Sequence, residues 1–354
     1  MVVFELNSAT LEKMATPPSP STLRSFGLSD QLALEPLPGG RGLCYRTGSI
    51  VLRPVDDAAE AEWLCHLTAT LLARFTPEAY RLAAPIPAVT SPDRFVIDGW
   101  TASTYLPGRV SLELNHFPAI FAAIRAFHAN LAELIQEKPS EVANRAFNRF
   151  DEADHVTWCE KSLDHVEEVN GDMLAQLRPL LGRLESAMRP LPSPNSNPDP
   201  DPMHASGMEA TCTSSGGDSD PRLRPQLVHM DLLGNILIEK GGPPGIIDLT
   251  FYWRPALYAE AVMVADGLVH MPNDADRKAL LEKYLREDLR EDLRGNIREE
   301  DEKVDFVRVQ LLIRALHWRY VTFAIDPDLE WIRVNLPKAD YAGAANIILG
   351  FVEC

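Results

Sequence analysis

Four polar side chains in an otherwise apolar segment are the residues of this sequence best suited to chemistry. The segment begins as an apolar strand near residues 227–230, turns, and ends in a second short apolar run at 244–248. A β-hairpin with polar groups at its ends fits this pattern. Buried polar groups need partners, so four of them on one hairpin indicate a site. They are His229, Asp231, Asn235 and Asp248.

The types of these side chains suit proton abstraction and the binding of a hard cation. A carboxylate can take a proton from a hydroxyl, and hard oxygen ligands suit Mg²⁺. The alternative is an ordinary hairpin capped by polar residues, and the structural context has to decide between the two interpretations.

The order of the four residues resembles the catalytic segment of the protein-kinase-like fold, in particular that of aminoglycoside phosphotransferases and choline-kinase-like small-molecule kinases. These enzymes carry His-x-Asp, then an Asn, then a hairpin that ends in a metal-binding Asp. The resemblance implies that Asp231 orients or deprotonates the acceptor hydroxyl. It also implies that Asn235 and Asp248 hold Mg²⁺ on the phosphates of ATP, and that His229 organises the loop through backbone hydrogen bonds.

The segment departs from the kinase pattern in two places. Protein kinases place the Asn five residues after the catalytic Asp, whereas Asn235 comes four residues after Asp231. Leu249 and Thr250 follow Asp248, where kinases have Phe-Gly. These departures leave two alternatives open: a catalytically weak kinase-like nucleotide-binding module, and a helical scaffold without a nucleotide site.

The chain before this segment has the pattern of a nucleotide-binding lobe. Three antiparallel strands joined by glycine turns are predicted between residues 32 and 54. By the resemblance, Gly39, Gly40 and Gly42 form the loop over the phosphates, where backbone N–H groups approach an anion. Taken alone, this glycine cluster is more typical of a hairpin turn.

The third strand should carry the Lys that contacts the α- and β-phosphates, and Arg53 stands at that position. Arginine keeps the charge and can grip phosphate with two N–H groups, but it is not equivalent to lysine at such a site. A helix is predicted over residues 56–75, and one of its acids should pair with Arg53. Glu60 is the first choice, and Glu62 stays open.

A hairpin with an Asp98-Gly99 turn is predicted from residue 95 to residue 106. In the family that the sequence resembles, the strand after the turn leads to a hinge whose backbone binds adenine. The resemblance therefore implies that Thr104, Tyr105 and Leu106 contact adenine through N–H and C=O groups.

The remainder of the chain is predicted to be mostly helical. Apolar residues at helical spacing predict helices over residues 117–135, 151–188, 256–270, 304–323 and 342–352. Three aromatic residues, Phe251, Tyr252 and Trp253, follow Asp248 and form either a wall of the acceptor pocket or part of the core.

The predicted fold is therefore α+β, a two-lobed protein-kinase-like fold with a small antiparallel sheet in the N-lobe and a mostly helical C-lobe. We expect a flexible leader at 1–20, a nucleotide-binding N-lobe at 21–106 and a C-lobe at 107–354. Proline- and serine-rich composition predicts a disordered insertion at 189–226.

The bulk composition excludes several classes of protein. The 354 residues carry a net charge of −17, which argues against non-specific nucleic-acid binding. No secretory signal or membrane span is predicted, and five scattered cysteines predict reduced thiols in a cytoplasmic protein. No Ala-Pro-Glu signal follows Asp248. The sequence and its resemblance thus predict a kinase that uses ATP (or another nucleoside triphosphate) and Mg²⁺ to phosphorylate a hydroxyl of a small molecule. The acidic charge is compatible with an amine-bearing acceptor.

Overall fold

The computed structural model describes residues 17–37, 43–145, 148–167, 169–192, 220–291 and 305–351. Contacts between residues divide the chain into two compact units. The first unit consists of Met1–Ser111, His116–Ala143 and Gly234–Leu249. The second consists of Leu112–Asn115, Asn144–Leu233 and Thr250–Cys354.

A five-stranded antiparallel sheet forms the centre of the first unit. Its order is β1-β2-β3-β6-β5, and the unit also contains a three-stranded sheet of order β4-β9-β8. The strands are β1 (Glu35–Pro36), β2 (Tyr45–Thr47), β3 (Ile50–Pro54), β4 (Arg81–Leu82), β5 (Pro85–Ile86), β6 (Trp100–Thr104), β8 (Ile236–Leu237) and β9 (Gly245–Ile246).

Among the described residues of this unit, four helices accompany the sheets: α1 (Pro20–Ser25), α2 (Ala58–Arg74), α3 (Phe117–Leu134) and α4 (Ser140–Ala143). Helix α2 begins at Ala58 and is capped by Asp57, whose side chain accepts hydrogen bonds from two backbone N–H groups of the first turn. The buried apolar stripe of α3 is the one that the sequence spacing predicts. A core beneath the larger sheet is formed by Leu23, Phe26, Tyr45, Leu52, Trp100 and Ala102.

The described part of the second unit is helical apart from a two-stranded antiparallel ladder. Strands β7 (Pro225–His229) and β10 (Phe251–Pro255) pair along their whole length, with His229 opposite Phe251. The helices are α5 (Arg149–Thr157), α6 (Gly171–Ala187), α7 (Ala256–His270), α8 (Asp274–Glu291), α9 (Phe306–Ala324), α10 (Leu329–Asn335) and α11 (Tyr341–Leu349). Helix α9 is buried almost throughout. None of the described helices combines the length and the apolar character that crossing a bilayer requires.

Most elements agree with the sequence-based prediction, and the differences have local causes. Residues 151–188 form two helices instead of one continuous helical region, since the chain ends α5 at Thr157 and begins α6 at Gly171. The contact-based division also differs from the predicted lobe boundary at residue 106, because α3, α4 and the hairpin β8–β9 group with the first sheets.

Two segments predicted to be irregular include residues that form regular structure. The predicted leader at 1–20 lies mainly outside the described residues, but α1 already begins at Pro20, capped by the Ser19 hydroxyl. The predicted insertion at 189–226 also lies mostly outside them. Its last residues are ordered, because Pro221–Leu223 form a 3₁₀ turn and β7 begins at Pro225.

The prediction of reduced thiols is wrong for one cysteine. Cys44 and Cys65 are free thiols, whereas Cys159 is disulfide-bonded. The number and spacing of cysteines in the sequence do not report which of them approach each other in space, so this bond escaped the prediction.

Candidate active site

The hairpin β8–β9 positions the two predicted metal ligands in the first unit. Ile236 lies opposite Ile246, and the ladder continues when the N–H of Ile247 donates to the carbonyl oxygen of Asn235 over 3.0 Å. Asn235 and the residue before Asp248 are thus joined directly through the backbone. Asp248 has a φ of 53°, a left-handed conformation that is uncommon outside glycine.

Arg53 lies near the end of β3, and its Nη1 is 2.6 Å from Oδ1 of Asp248. The two side chains are 52% and 43% exposed, so the ion pair remains accessible to water and ligands. Burial raises the pKa of the nearby Cys44 thiol, an effect that the charge of Arg53 opposes. The first unit therefore brings Arg53, the predicted phosphate contact, next to Asp248, and a backbone hydrogen bond joins the residue before Asp248 to Asn235.

The two candidate acids on α2 differ in what they contact. The two carboxylate oxygens of Glu62 accept hydrogen bonds from the backbone N–H groups of Phe95 and Val96, over 2.7 and 2.8 Å. It therefore fixes the loop before β6. Glu60 lies in the first turn of the helix, where its N–H donates to the cap Asp57. The pairing of Glu60 with Arg53 stays a prediction.

The predicted nucleotide contacts lie only partly within the described residues. Gly39, Gly40 and Gly42 fall outside them. The N–H of Thr104 donates to the carbonyl of Ala84 over 2.9 Å, and the N–H of Tyr105 donates to that of Ser49 over 2.7 Å. Both N–H groups are thus engaged within the sheet, so contacts of these two residues with adenine would use their C=O groups and stay a prediction. The role of Leu106 stays a prediction.

Arg81 connects Pro107, the residue after Leu106, to the hairpin β8–β9. Its Nε donates to the carbonyl of Pro243 over 2.8 Å, its Nη2 donates to that of Pro107 over 3.1 Å, and its Nη1 lies 2.7 Å from Oε2 of Glu239. Arg109 and Ile238 exchange two further backbone hydrogen bonds of 3.0 and 2.8 Å. Through these contacts, the predicted hinge is bonded to the hairpin that lies between the predicted metal ligands.

In the second unit, His229 closes the ladder of β7 and β10. Its side chain is fully buried, and its Nδ1 lies 3.1 Å from the N–H nitrogen and 3.2 Å from the carbonyl oxygen of Thr250. This contact confirms the predicted backbone hydrogen bonding of His229. The sequence left open whether the aromatic residues after Asp248 form a wall of the acceptor pocket or part of the core. Phe251 and Tyr252 lie on this ladder and are buried in the core.

Asp231, the predicted catalytic carboxylate, belongs to the second unit and forms an ion pair with Arg319 of α9. The Nη2 atom of Arg319 lies 2.8 Å from Oδ1 of Asp231 and 2.6 Å from Oδ2 of Asp266. Burial lowers the pKa of Arg319, but both carboxylates outweigh it and hold that pKa well above its usual range. Sequence reasoning missed this partner, although an arginine in an otherwise apolar helix signals a buried acid nearby.

The donor set in the first unit fits Mg²⁺. In the part of the chain that the structure describes, no three His, Cys, Asp or Glu residues gather in a group that could hold a metal. Mg²⁺ needs fewer protein ligands than that, because it keeps water and phosphate oxygens and takes one or two carboxylates. The carboxylate of Asp248 and the amide oxygen of Asn235 would supply the protein share of such a site.

Comparisons with known proteins concern the family and the fold of this chain. The sequence profile of the APH phosphotransferase enzyme family matches residues 46–295. No curated protein matches the sequence. Spectinomycin phosphotransferase in complex with ADP and spectinomycin shares the fold with a TM-score of 0.50 at 13% identity, over 96% of this chain and 100% of that chain. The protein-kinase-like fold predicted from the sequence is thereby confirmed.

Two other solved structures are similar at lower scores. A choline/ethanolamine kinase family protein from Mesorhizobium loti aligns over 98% of both chains at 15% identity with a TM-score of 0.43. An aminoglycoside phosphotransferase from Alicyclobacillus acidocaldarius aligns over 96% of this chain and 98% of that chain, at 14% identity and a TM-score of 0.43.

Proposed function

Because this chain belongs to the phosphotransferase enzyme family and is an ATP-dependent small-molecule kinase, we propose that it phosphorylates a hydroxyl of a small amine-bearing acceptor with Asp231 as the catalytic carboxylate. In this reaction the bond from the γ-phosphorus to the bridging oxygen of ADP breaks, and a bond to the acceptor oxygen forms. The hydroxyl proton passes to Asp231. Catalysis comes mainly from positioning and from charge stabilisation.

The ion pair between Arg53 and Asp248 is the observation that carries the proposal. It brings a cation suited to phosphate within 2.6 Å of a carboxylate suited to Mg²⁺, on two segments far apart in the sequence. Bound Mg²⁺ would neutralise charge on the phosphates, held by Asn235 and Asp248. Arg53 would contact the phosphates, and the backbone of Leu106 would contact adenine.

The nature of the acceptor and the location of the protein are the finer parts of the proposal. The net charge of −17 favours a cationic acceptor such as an amine and argues against nucleic acid as a partner. One similar solved structure is a spectinomycin phosphotransferase in complex with ADP and spectinomycin. Another is a choline/ethanolamine kinase family protein. The free thiols of Cys44 and Cys65 support a cytoplasmic location, whereas the disulfide of Cys159 does not.

A phosphorylation screen with a library of hydroxyl-bearing metabolites tests the proposal. Wild-type protein is incubated with ATP and Mg²⁺ beside Asp231→Ala and Asp248→Ala, after a thermal-shift titration with ATP and Mg²⁺. We expect stabilisation and turnover by the wild type, and loss of turnover in both variants. Asp340→Ala is the matched control, since Asp340 is an equally exposed carboxylate paired with an arginine, Arg277.

Two results would overturn the proposal. One is a wild-type protein that binds ATP and Mg²⁺ but phosphorylates none of the library, which would indicate the weak nucleotide-binding module. The other is full turnover by Asp231→Ala, which would remove the role of that residue.

A further inference from the structure

Arg319 is an unusual residue for its place in the fold. It lies on the buried helix α9, its side chain is 14% exposed, and its guanidinium carbon lies 4.5 Å from the centre of the Trp318 ring. Removing a guanidinium from water is unfavourable unless acids compensate it. Its position therefore requires carboxylate partners, and the structure supplies two.

The two partners hold Arg319 in different ways. Asp266 of α7 accepts from Nε over 2.9 Å and from Nη2 over 2.6 Å, a side-on pair of bonds that fixes the plane of the guanidinium. Asp231 accepts from the same Nη2 over 2.8 Å. One nitrogen thus bridges the two carboxylates.

Exposure distinguishes the two ends of this bridge. The side chain of Asp266 is 11% exposed, whereas that of Asp231 is 52% exposed. Asp266 is therefore the anchored end, and Asp231 is the end that a ligand can reach. The neighbouring His270 also faces this group, and burial lowers its pKa, which favours the neutral ring at pH 7.

We propose that Arg319, anchored by Asp266, is the positioning residue for Asp231 and fixes the direction from which this carboxylate meets the acceptor hydroxyl. The proposal rests on the proposed function, because it assigns Arg319 a task in the same transfer. Without the guanidinium, Asp231 loses the donor to Oδ1 and the direction that this donor gives to the carboxylate. A carboxylate displaced by about 1 Å can lower the rate on the order of 100-fold.

Steady-state kinetics of Arg319→Gln test the proposal. We expect kcat to fall about 10- to 100-fold, while KM for ATP changes less than about twofold, because Asp231 acts on the acceptor and not on the nucleotide. Arg319→Lys keeps the charge but not the planar fork, so an intermediate kcat is expected. This second variant retains the charge balance if Arg319→Gln folds poorly. Asp266→Asn, which frees the anchored end, should lower kcat in the same direction by less.

Arg254→Gln is the matched control for a buried arginine. Arg254 belongs to the same unit, is also 14% exposed and also pairs with two carboxylates, those of Asp154 and Glu160. A purely structural role of Arg319 predicts equal effects of both substitutions on kcat per folded molecule. The proposal predicts that only Arg319→Gln lowers it.

A double-mutant cycle with Asp231→Ala completes the test. If Arg319 acts through Asp231, adding Arg319→Gln to Asp231→Ala produces no further loss of the residual rate. Multiplying losses would overturn the proposal and indicate a direct contact of Arg319 with the transferred phosphoryl group. Loss of activity in Asp231→Ala together with wild-type kcat in Arg319→Gln would also overturn it, while full activity of Asp231→Ala would instead remove the proposed function.

Discussion

Substitution of Arg53 by Gln should change the affinities for ATP and for Mg²⁺ in opposite directions. In the structure, Arg53 is paired with Asp248 over 2.6 Å. Because both side chains are about half exposed, water screens the pair, and its contribution is about 0.2–1 kcal/mol. If Asp248 holds Mg²⁺ as proposed, the ion has to displace this arginine to reach Oδ1 of Asp248.

The expected magnitudes follow from these two roles of one arginine. Removing the competitor of Mg²⁺ should tighten metal binding by the worth of the pair, which corresponds to about 1.5- to 5-fold. Removing the phosphate contact costs about 1.5–3 kcal/mol for hydrogen bonds to a charged group. This loss corresponds to about 10- to 100-fold weaker binding of ATP.

Isothermal titration calorimetry measures both affinities, with ATP titrated at fixed saturating Mg²⁺ and Mg²⁺ titrated at fixed ATP. Arg74→Gln is the control, since Arg74 forms a similarly exposed ion pair with Glu133 in the same unit, on α2 and α3. It should leave both affinities unchanged. Unaltered ATP affinity in Arg53→Gln would refute the assignment of this arginine to the phosphates, and weaker Mg²⁺ binding would refute the competition for Asp248.

Two further predictions concern stability. Gly108 has a φ of 139°, and an added Cβ would lie 2.9 Å from Cβ of Leu237, so Gly108→Ala should lower the free energy of unfolding by about 1–3 kcal/mol in denaturant titrations. Gly171→Ala, in an open helical position, should raise it by about 0.4–1 kcal/mol, and equal effects of the two would contradict the argument. Burial raises the pKa of Glu160, but hydrogen bonds from His155 and Arg254 outweigh it and lower the pKa to about 2. The carboxylate therefore stabilises the fold above about pH 4.5 and loses that effect as the pH falls toward 2, so Glu160→Gln should lower Tm more at pH 7 than at pH 3 in thermal melts.

The sequence predicted well those elements whose determinants are local. The stripe of α3 follows from helical spacing, and the turn at Asp98 and Gly99 follows from two residues that tolerate positive φ, observed at 49° and 77°. The order His229, Asp231, Asn235 and Asp248 identified the segment because these polar residues interrupt an apolar pattern.

Pairings between distant segments were harder to predict. The sequence indicated one hairpin from residue 227 to residue 248, whereas β7 pairs with β10 and the hairpin proper consists of β8 and β9. Hydrophobic alternation shows which residues form strands but not which strands become partners. Arg319 was missed for the same reason, since its contact with Asp231 spans 88 positions of the chain.

The contacts of Arg81 order two segments of the first unit before any nucleotide binds. Its guanidinium donates hydrogen bonds to the carbonyls of Pro107 and Pro243 and forms an ion pair with Glu239. These bonds join the segment beside the predicted adenine contact to the hairpin beside the predicted metal ligands. The entropy of ordering these segments is therefore lost when the chain folds and not when nucleotide arrives. Nucleotide affinity in this protein should accordingly report on direct contacts, with little subtracted for arranging the loops around them.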